Sequence, residues 1–210
     1  MIRSARARAR GYTAVELLMS IAVLAIGISG VIAMQKITVS SNRQSKDLII
    51  ATQIAEAWQS ELALDAVLWN HPSQSDPVSD LDETEWLQFV GTGWFRPDFP
   101  VDNTRRAFGP AFDGLGNPVT KDDQTKDPSP AHFCTHLRLS WLRPEGDGNA
   151  LIRTEVRVFW RREGMQYQGV GNDPYTGNVC DDISPETISD AVERYHFVYV
   201  TSAVKQNPLS

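Results

Sequence analysis

A chain of 210 residues, 41% hydrophobic and 22% charged, has room for one medium domain plus an appendage. Its formal net charge is −6, and four arginines (Arg3, Arg6, Arg8 and Arg10) crowd the first ten residues with no acid among them, so the remainder stands at −10. So acidic a body argues against nucleic-acid binding, which needs a basic surface to displace counterions.

The arginine block directly precedes an apolar span and reads as a cytoplasmic anchor. From Leu17 to Met34 there are 18 residues without a charge. As a helix they extend about 27 Å at about 1.5 Å per residue, close to a bilayer core of about 30 Å. A secretory signal peptide has a shorter apolar core followed by a small-residue cleavage site. Here Met34, Gln35 and Lys36 follow Ala33, and the pattern stays helical. A plain membrane anchor fits the length but explains neither Glu16 nor the Gly11-Tyr12 step before it. A charge at the centre of a membrane helix costs about 2.5–3.5 kcal/mol, less near its end, and a cation nearby offsets that cost. Were the chain cut after Gly11, Tyr12 would carry a new α-amino group with a reference pKa of about 7.7–8.0. Glu16 lies one helical turn further on. It can meet that amine, or the same amine on a neighbouring subunit, in apolar surroundings that screen the attraction weakly.

The basic leader, the segment GYTAVELL and the uninterrupted apolar helix together resemble the N-terminus of type IV prepilins and pseudopilins. The resemblance covers residues 1 to about 60 strictly and the domain beyond less closely. It implies that residues 1–11 are a class III leader peptide and that a prepilin peptidase cuts between Gly11 and Tyr12. It also implies that Tyr12 is N-methylated and that Glu16, at the fifth mature position, is the assembly carboxylate. Residues 12–34 are then the transmembrane and assembly helix, and 35–210 a periplasmic domain with a type IV pilin-like fold. The family consensus is roughly GFTLIELL; this chain has Tyr for Phe, and Ala14 where a larger apolar residue is usual. The run AVLAIGISGVIAMQ is similar to a segment of PilV-type minor pilins. Major pilins commonly carry a Pro near the position of Ala33; here Gly27 and Gly30 stand instead. Each weakens the helix by about 1 kcal/mol relative to Ala, and small residues let helices approach closely.

The function so implied is that of a minor pilin of a type IV pilus. Such a subunit helps to prime assembly, sits at or near the tip, and supports adhesion or twitching motility. Its implied partners are other minor pilins, the major pilin and a large tip adhesin. Its implied location is the inner membrane before assembly and the pilus at the cell surface afterwards. Two alternatives stand beside it: a minor pseudopilin of type II secretion, and a membrane-anchored enzyme or ligand-binding domain.

Residues 36–47 are polar, and an amphipathic pattern then resumes with Ile50, Ile54, Ala57 or Trp58, and Leu62 at three- and four-residue steps. With no Gly or Pro between 31 and 71, the spacing predicts one helix over about 12–68, amphipathic over 35–68 and stopped by His71-Pro72. Residues 70–130 are rich in Pro, Gly and Asp and predict exposed irregular structure, with a helical turn or short strand in DETEWLQFVGTGWF. The aromatics of that region (Trp86, Trp94, Phe95, Phe99, Phe108 and Phe112) suit a satellite core better than a contact surface. Alternation then predicts strands over 132–143 and 150–162, joined as an antiparallel hairpin through 145–149, and a third over 194–204. The result is an α+β roll, its sheet within 131–204 covering Ile54, Trp58 and Leu62.

Cys134 and Cys180 are an even pair, which in an exported chain suggests a disulfide, with two free thiols as the alternative. Pilins commonly close a C-terminal loop with such a bridge. His132, Cys134 and His136 alternate along one strand, but adjacent positions of a flat strand converge poorly on zinc. Asp113, Asn117, Asp122 and Asp123 offer oxygens to calcium, as related loops of type II secretion pseudopilins do, without the spacing of an EF-hand. No nucleophile elbow, phosphate loop or HExxH is present, so neither an enzyme, a cofactor nor a resident metal is expected.

Overall fold

The computed structural model describes residues 13–69, 80–98, 108–119, 131–145, 149–162, 179–181, 184–188 and 191–206. The chain divides into two compact units between Lys46 and Asp47. Helix α1, Ala14–Asp65, contributes to both.

In the first unit every described residue is exposed, including Val15, Leu18, Val23, Leu24 and Ile26. Several hydroxyls in this stretch pair within the helix. Ser20 Oγ donates to the Glu16 carbonyl, Ser29 Oγ to Ile26 and Thr38 Oγ1 to Met34. Such back-bonding satisfies polar side chains within their own helix, as a lipid environment requires. By length and composition, this is a helix able to cross a membrane.

In the second unit α1 becomes one wall of a core. Ile50, Ile54, Trp58 and Leu62 are buried, together with Ala51 and Ala55, whose small side chains admit the sheet closely. The opposite wall is an antiparallel sheet of β1 (Trp94–Phe95), β2 (Ala111–Phe112), β3 (Phe133–Arg143), β4 (Leu151–Arg161) and β5 (Tyr195–Lys205). Its order is β1-β3-β4-β5, with β2 also on β3. The register pairs Thr135 with Val158, Leu137 with Val156 and Leu139 with Thr154, then Val156 with Val200 and Ile152 with Val204. One face of each strand thus points at α1, as alternation requires. Gln59 fastens the two walls: its Nε2 donates to the Thr154 and Val200 carbonyls, and its Oε1 accepts from Thr154 Oγ1. Burying each large side chain of this core contributes about 1.5–3 kcal/mol.

The three long strands and the α+β arrangement match the periodicity. Two features do not. First, α1 stops at Asp65, short of residue 68, and three-residue turns follow: Val67 N–H donates to Leu64, Leu68 to Asp65 and Trp69 to Ala66. His71-Pro72 lies outside the described residues. Second, the region expected to be exposed is in part core. Trp86, Leu87, Phe112 and Val119 are buried, and Trp58 meets Trp86 and Phe108 edge-on at 5.3 and 5.0 Å. Phe99 lies outside the described residues. The DETEWLQFVGTGWF segment holds both a helical turn and a short strand: 3-10 turns stand at Asp80–Glu83 and Leu87–Phe89, and β1 follows. The turn over Asp113–Pro118 lies against α1 through Gly116, whose φ is +86° and where an added Cβ would stand 3.0 Å from Ile50.

The last residue of α1 holds the segment that returns to the core. Asp65 is buried, and its carboxylate accepts from the N–H groups of Glu85, Trp86 and Leu87 at 2.9, 2.8 and 3.0 Å. These are donors at the start of a 3-10 turn, which have no partner of their own within the turn. One helical carboxylate therefore pins the segment that brings Trp86 and Leu87 into the core. Asp65→Ala leaves those N–H groups buried and unpaired, and is expected to destabilise the second unit by about 3 kcal/mol. Asp65→Asn keeps an acceptor and should cost less. Urea unfolding of the two variants, followed by tryptophan fluorescence, checks both the size and the order.

Candidate functional site

Gly11 and Tyr12 lie outside the described residues, so the cleavage step itself is not in view. Glu16 is, and it is engaged. Thr13 precedes the first helical residue. Its Oγ1 accepts from the Glu16 N–H at 3.3 Å, while Glu16 Oε2 accepts from the Thr13 N–H at 3.5 Å. This reciprocal pair is a capping box. It satisfies a donor of the first helical turn, and it puts a negative charge at the positive end of the helix. The carboxylate is thereby aimed at the backbone of Thr13, the residue next to Tyr12. The signal was present in the sequence as Thr13-Ala14-Val15-Glu16, the Ser/Thr-x-x-Glu pattern.

Cys134 and Cys180 are joined in a disulfide across a sequence separation of 46. In the chain-entropy account, closing such a loop stabilises by about 4 kcal/mol. It ties β3 to a 3-10 turn at Val179–Asp181. Arg96 Nη1 holds the same turn by donating to the Cys180 carbonyl at 2.8 Å.

Beside the disulfide, on the sheet face away from α1, is a group of side chains that the sequence reading did not assemble. Arg157 is fully buried on β4. Its Nη2 lies 2.9 Å from His136 Nδ1 and donates to the Pro185 carbonyl at 2.8 Å, and its guanidinium stands 4.2 Å from the centre of the Trp94 ring. The Tyr199 side chain is a further hydrogen-bond partner. Arg138, paired to Glu155 at 2.6 and 2.8 Å, also lies against Trp94, at 4.8 Å. A guanidinium only donates, so His136 Nδ1 accepts and the imidazole proton sits on Nε2. Burial, then the charges of Arg157 and Arg96, push His136 from 6.5 down to about 3.

This arrangement holds β3, β4 and the Pro185 turn to one another. His132, Cys134 and His136 do not converge: Cys134 is in the disulfide, His136 is against Arg157, and His132 Nε2 is 3.5 Å from Asp47. Asp113 is engaged by its own loop, accepting from Leu115 N–H, Asn117 N–H and Asn117 Nδ2 at 2.8–2.9 Å. Burial raises its pKa, but the hydrogen bonds from Asn117, Leu115 and Gly116 together bring it below the usual value. Asp122 and Asp123 lie outside the described residues. Among the described residues no three metal-binding side chains gather. No protein-family model, no curated protein and no solved structure matches this chain.

The buried imidazole has a consequence in solution. A histidine held neutral binds fewer protons in the folded state than in the unfolded one. Its contribution to stability is therefore complete above pH 6.5 and is lost as pH falls toward about 3. His136→Asn keeps an acceptor for Arg157 and removes the titration. Its unfolding free energy, measured at pH 7.5 and pH 4.5, should fall less between the two than that of the unaltered chain. Equal losses would show that folding leaves the pKa of His136 unchanged.

Proposed function

We propose that this chain is a minor pilin of a type IV pilus, similar to the PilV type. In this reading it is held by α1 in the inner membrane, processed at Gly11-Tyr12, and built into a filament at or near its tip. The observation that carries the reading is the N-terminus of α1. A long, exposed, apolar helix opens with a carboxylate at the one place where a cut after Gly11 would create an amine. In the single chain that carboxylate caps its own helix through Thr13. In an assembly it would turn to the amine of Tyr12, on its own chain or a neighbour's, and the switch would register one helix on the next. Gly27 and Gly30 support the same reading, since no atom of this chain stands near the place of an added Cβ. They are small positions open to a neighbouring helix. Partners would be other minor pilins, the major pilin and a large tip adhesin, with a prepilin peptidase as the processing enzyme.

The capping geometry sharpens the test. Glu16→Gln keeps a side chain able to close the capping box, while Glu16→Ala removes the cap and the charge together. If the ion pair drives assembly, both variants are processed and both are lost from sheared pili. Normal incorporation of Glu16→Gln would reduce Glu16 to a helix cap. A charged residue at Gly11 should leave uncut precursor in the membrane. Mass spectrometry of the N-terminal peptide, from sheared pili and from membranes of the same cells, reads all of these. A mature form confined to membranes would instead favour a pseudopilin of type II secretion.

A further inference from the structure

Strand β5 is long and lies at the edge of its sheet. It pairs with β4 over its whole length, Tyr195 with Arg161 through Lys205 with Leu151. At its two ends, Arg162 N–H donates to the Arg194 carbonyl and Gln206 N–H to the Ala150 carbonyl. In an antiparallel ladder this phase gives the even-numbered residues of β5 to β4. The N–H and C=O groups of Phe197, Tyr199, Thr201 and Ala203 therefore point to the outer edge. Among the described residues, no strand pairs with that edge. The devices that protect natural edges (a proline, a bulge, an inward charge) are missing from β5 itself, which reads YHFVYVTSAVK.

The two flanks of the edge differ. On the side of α1, at the C-terminal end of β5, an open groove of about 460 Å³ lies between Ala63, Ala66 and Val67 on one side and Val204, Lys205 and Gln206 on the other. Earlier in β5, Val198 and Val200 face the same side and are only partly buried. The wall that α1 and the turn after it give to this groove is made of small apolar side chains. On the other flank stand Arg153 and, at the end of the strand, Lys205. Glu155 is the carboxylate beside them: both of its oxygens accept from Arg138, and Arg153 Nε stands 3.9 Å from its Oε1. Among the described residues that flank carries more positive than negative charge, on a chain whose overall charge is −6.

We infer that this edge is a docking site for an extended segment of a different protein chain, added to the sheet as a further strand beside β5. The segment would carry apolar residues at alternate positions, facing the groove, and carboxylates at the others, facing Arg153 and Lys205. Main-chain hydrogen bonds supply affinity in this mode, and the alternate side chains supply specificity. A second copy of this chain fits less well. α1 runs in the same direction as β5, since the Asp47 charge reaches His196, Gln59 bonds to Val200 and Ala66 lies by Val204. Antiparallel pairing of two β5 strands would put their Asp47 ends, where the anchors join, at opposite ends of the joint sheet. Two chains inserted in one membrane leave it from the same side. Parallel pairing of two identical edges does not close by two-fold symmetry. This exclusion rests on α1 being a membrane anchor; it needs neither cleavage at Gly11 nor a pilus.

The test uses the full chain in detergent micelles and two fluorescein-labelled synthetic peptides, one alternating valine with aspartate and the other valine with lysine. The valine–aspartate peptide should bind saturably, and at least about tenfold more tightly than the valine–lysine one. Thr201→Pro removes an N–H that points to the open edge and is tolerated there, so it should weaken binding by about tenfold or more while β4–β5 stays paired. Should that variant fail to fold, Arg153→Glu with Lys205→Glu provides the second reading, with the peptide preference reversed. Amide exchange locates the contact: Phe197, Tyr199, Thr201 and Ala203 slow on binding, while Val198, Val200 and Ser202 do not change. Absence of binding, or binding indifferent to both sets of variants, overturns the proposal. So does protection of the odd-numbered amides in the free chain, which would show the edge already covered, or a dimer that Thr201→Pro dissolves, which would name a second copy.

Discussion

The face of α1 that carries Ile50, Ile54, Trp58 and Leu62 is the surface on which the second unit is built. The side of the sheet that carries Leu137, Leu139, Ile152 and Val156 is apolar and needs a wall. α1 provides it, fixed in register by the bonds of Gln59 to β4 and β5. The same helix then sets what lies beyond its end. Asp65 collects three N–H groups of the following segment, so Trp86 and Leu87 fold back over Trp58. Weakening this one face would loosen the helix, the sheet and the returning segment together.

What was legible in the sequence is what periodicity carries. The three-and-four spacing of Ile50, Ile54, Trp58 and Leu62, and the strict alternation in β3 and β4, are averages over many residues and survive local detail. The features that were missed rest on single contacts. Nothing in the text around Asp65 says that its carboxylate will serve the backbone of residues 85–87, because that pairing is created by the fold. β1 and β2 are too short to alternate; they exist because β3 has a second edge that accepts them. The Pro- and Gly-rich composition of 70–130 correctly signalled irregular backbone, but irregular backbone need not be exposed. Its aromatic residues find the core, and the 3-10 turns satisfy the donors along the way.

The far face of the sheet shows the same limit in another form. In the sequence His136 looks like one of three alternating metal-binding residues, and Arg157 like a solvated strand residue opposite an apolar one. In the fold the two meet in a dry place. The arginine keeps its charge by lying against Trp94 and by donating to His136 and Pro185. The histidine is kept neutral by burial and by that same charge. Arg96 and the disulfide then hold the Cys180 turn beside them. Arg157 and His136 thus bind β4, β3 and the Pro185 turn to one another, and among the described residues this cluster works as a clamp.

The two units leave different needs unmet, and those needs define what each can recognise. The first unit exposes apolar side chains all round, and several of its hydroxyls pair within the helix. It offers shape and apolar area, with one carboxylate at its head, and apolar surroundings that also offer a cation suit it. The second unit has buried a core and, among the described residues, left main-chain donors and acceptors along β5. Those are directional, fixed at the spacing of a strand, and of no use to lipid. A partner that satisfies one unit therefore cannot satisfy the other with the same surface. Either the chain meets two partners, or one partner must bring both an apolar helix and an extended strand.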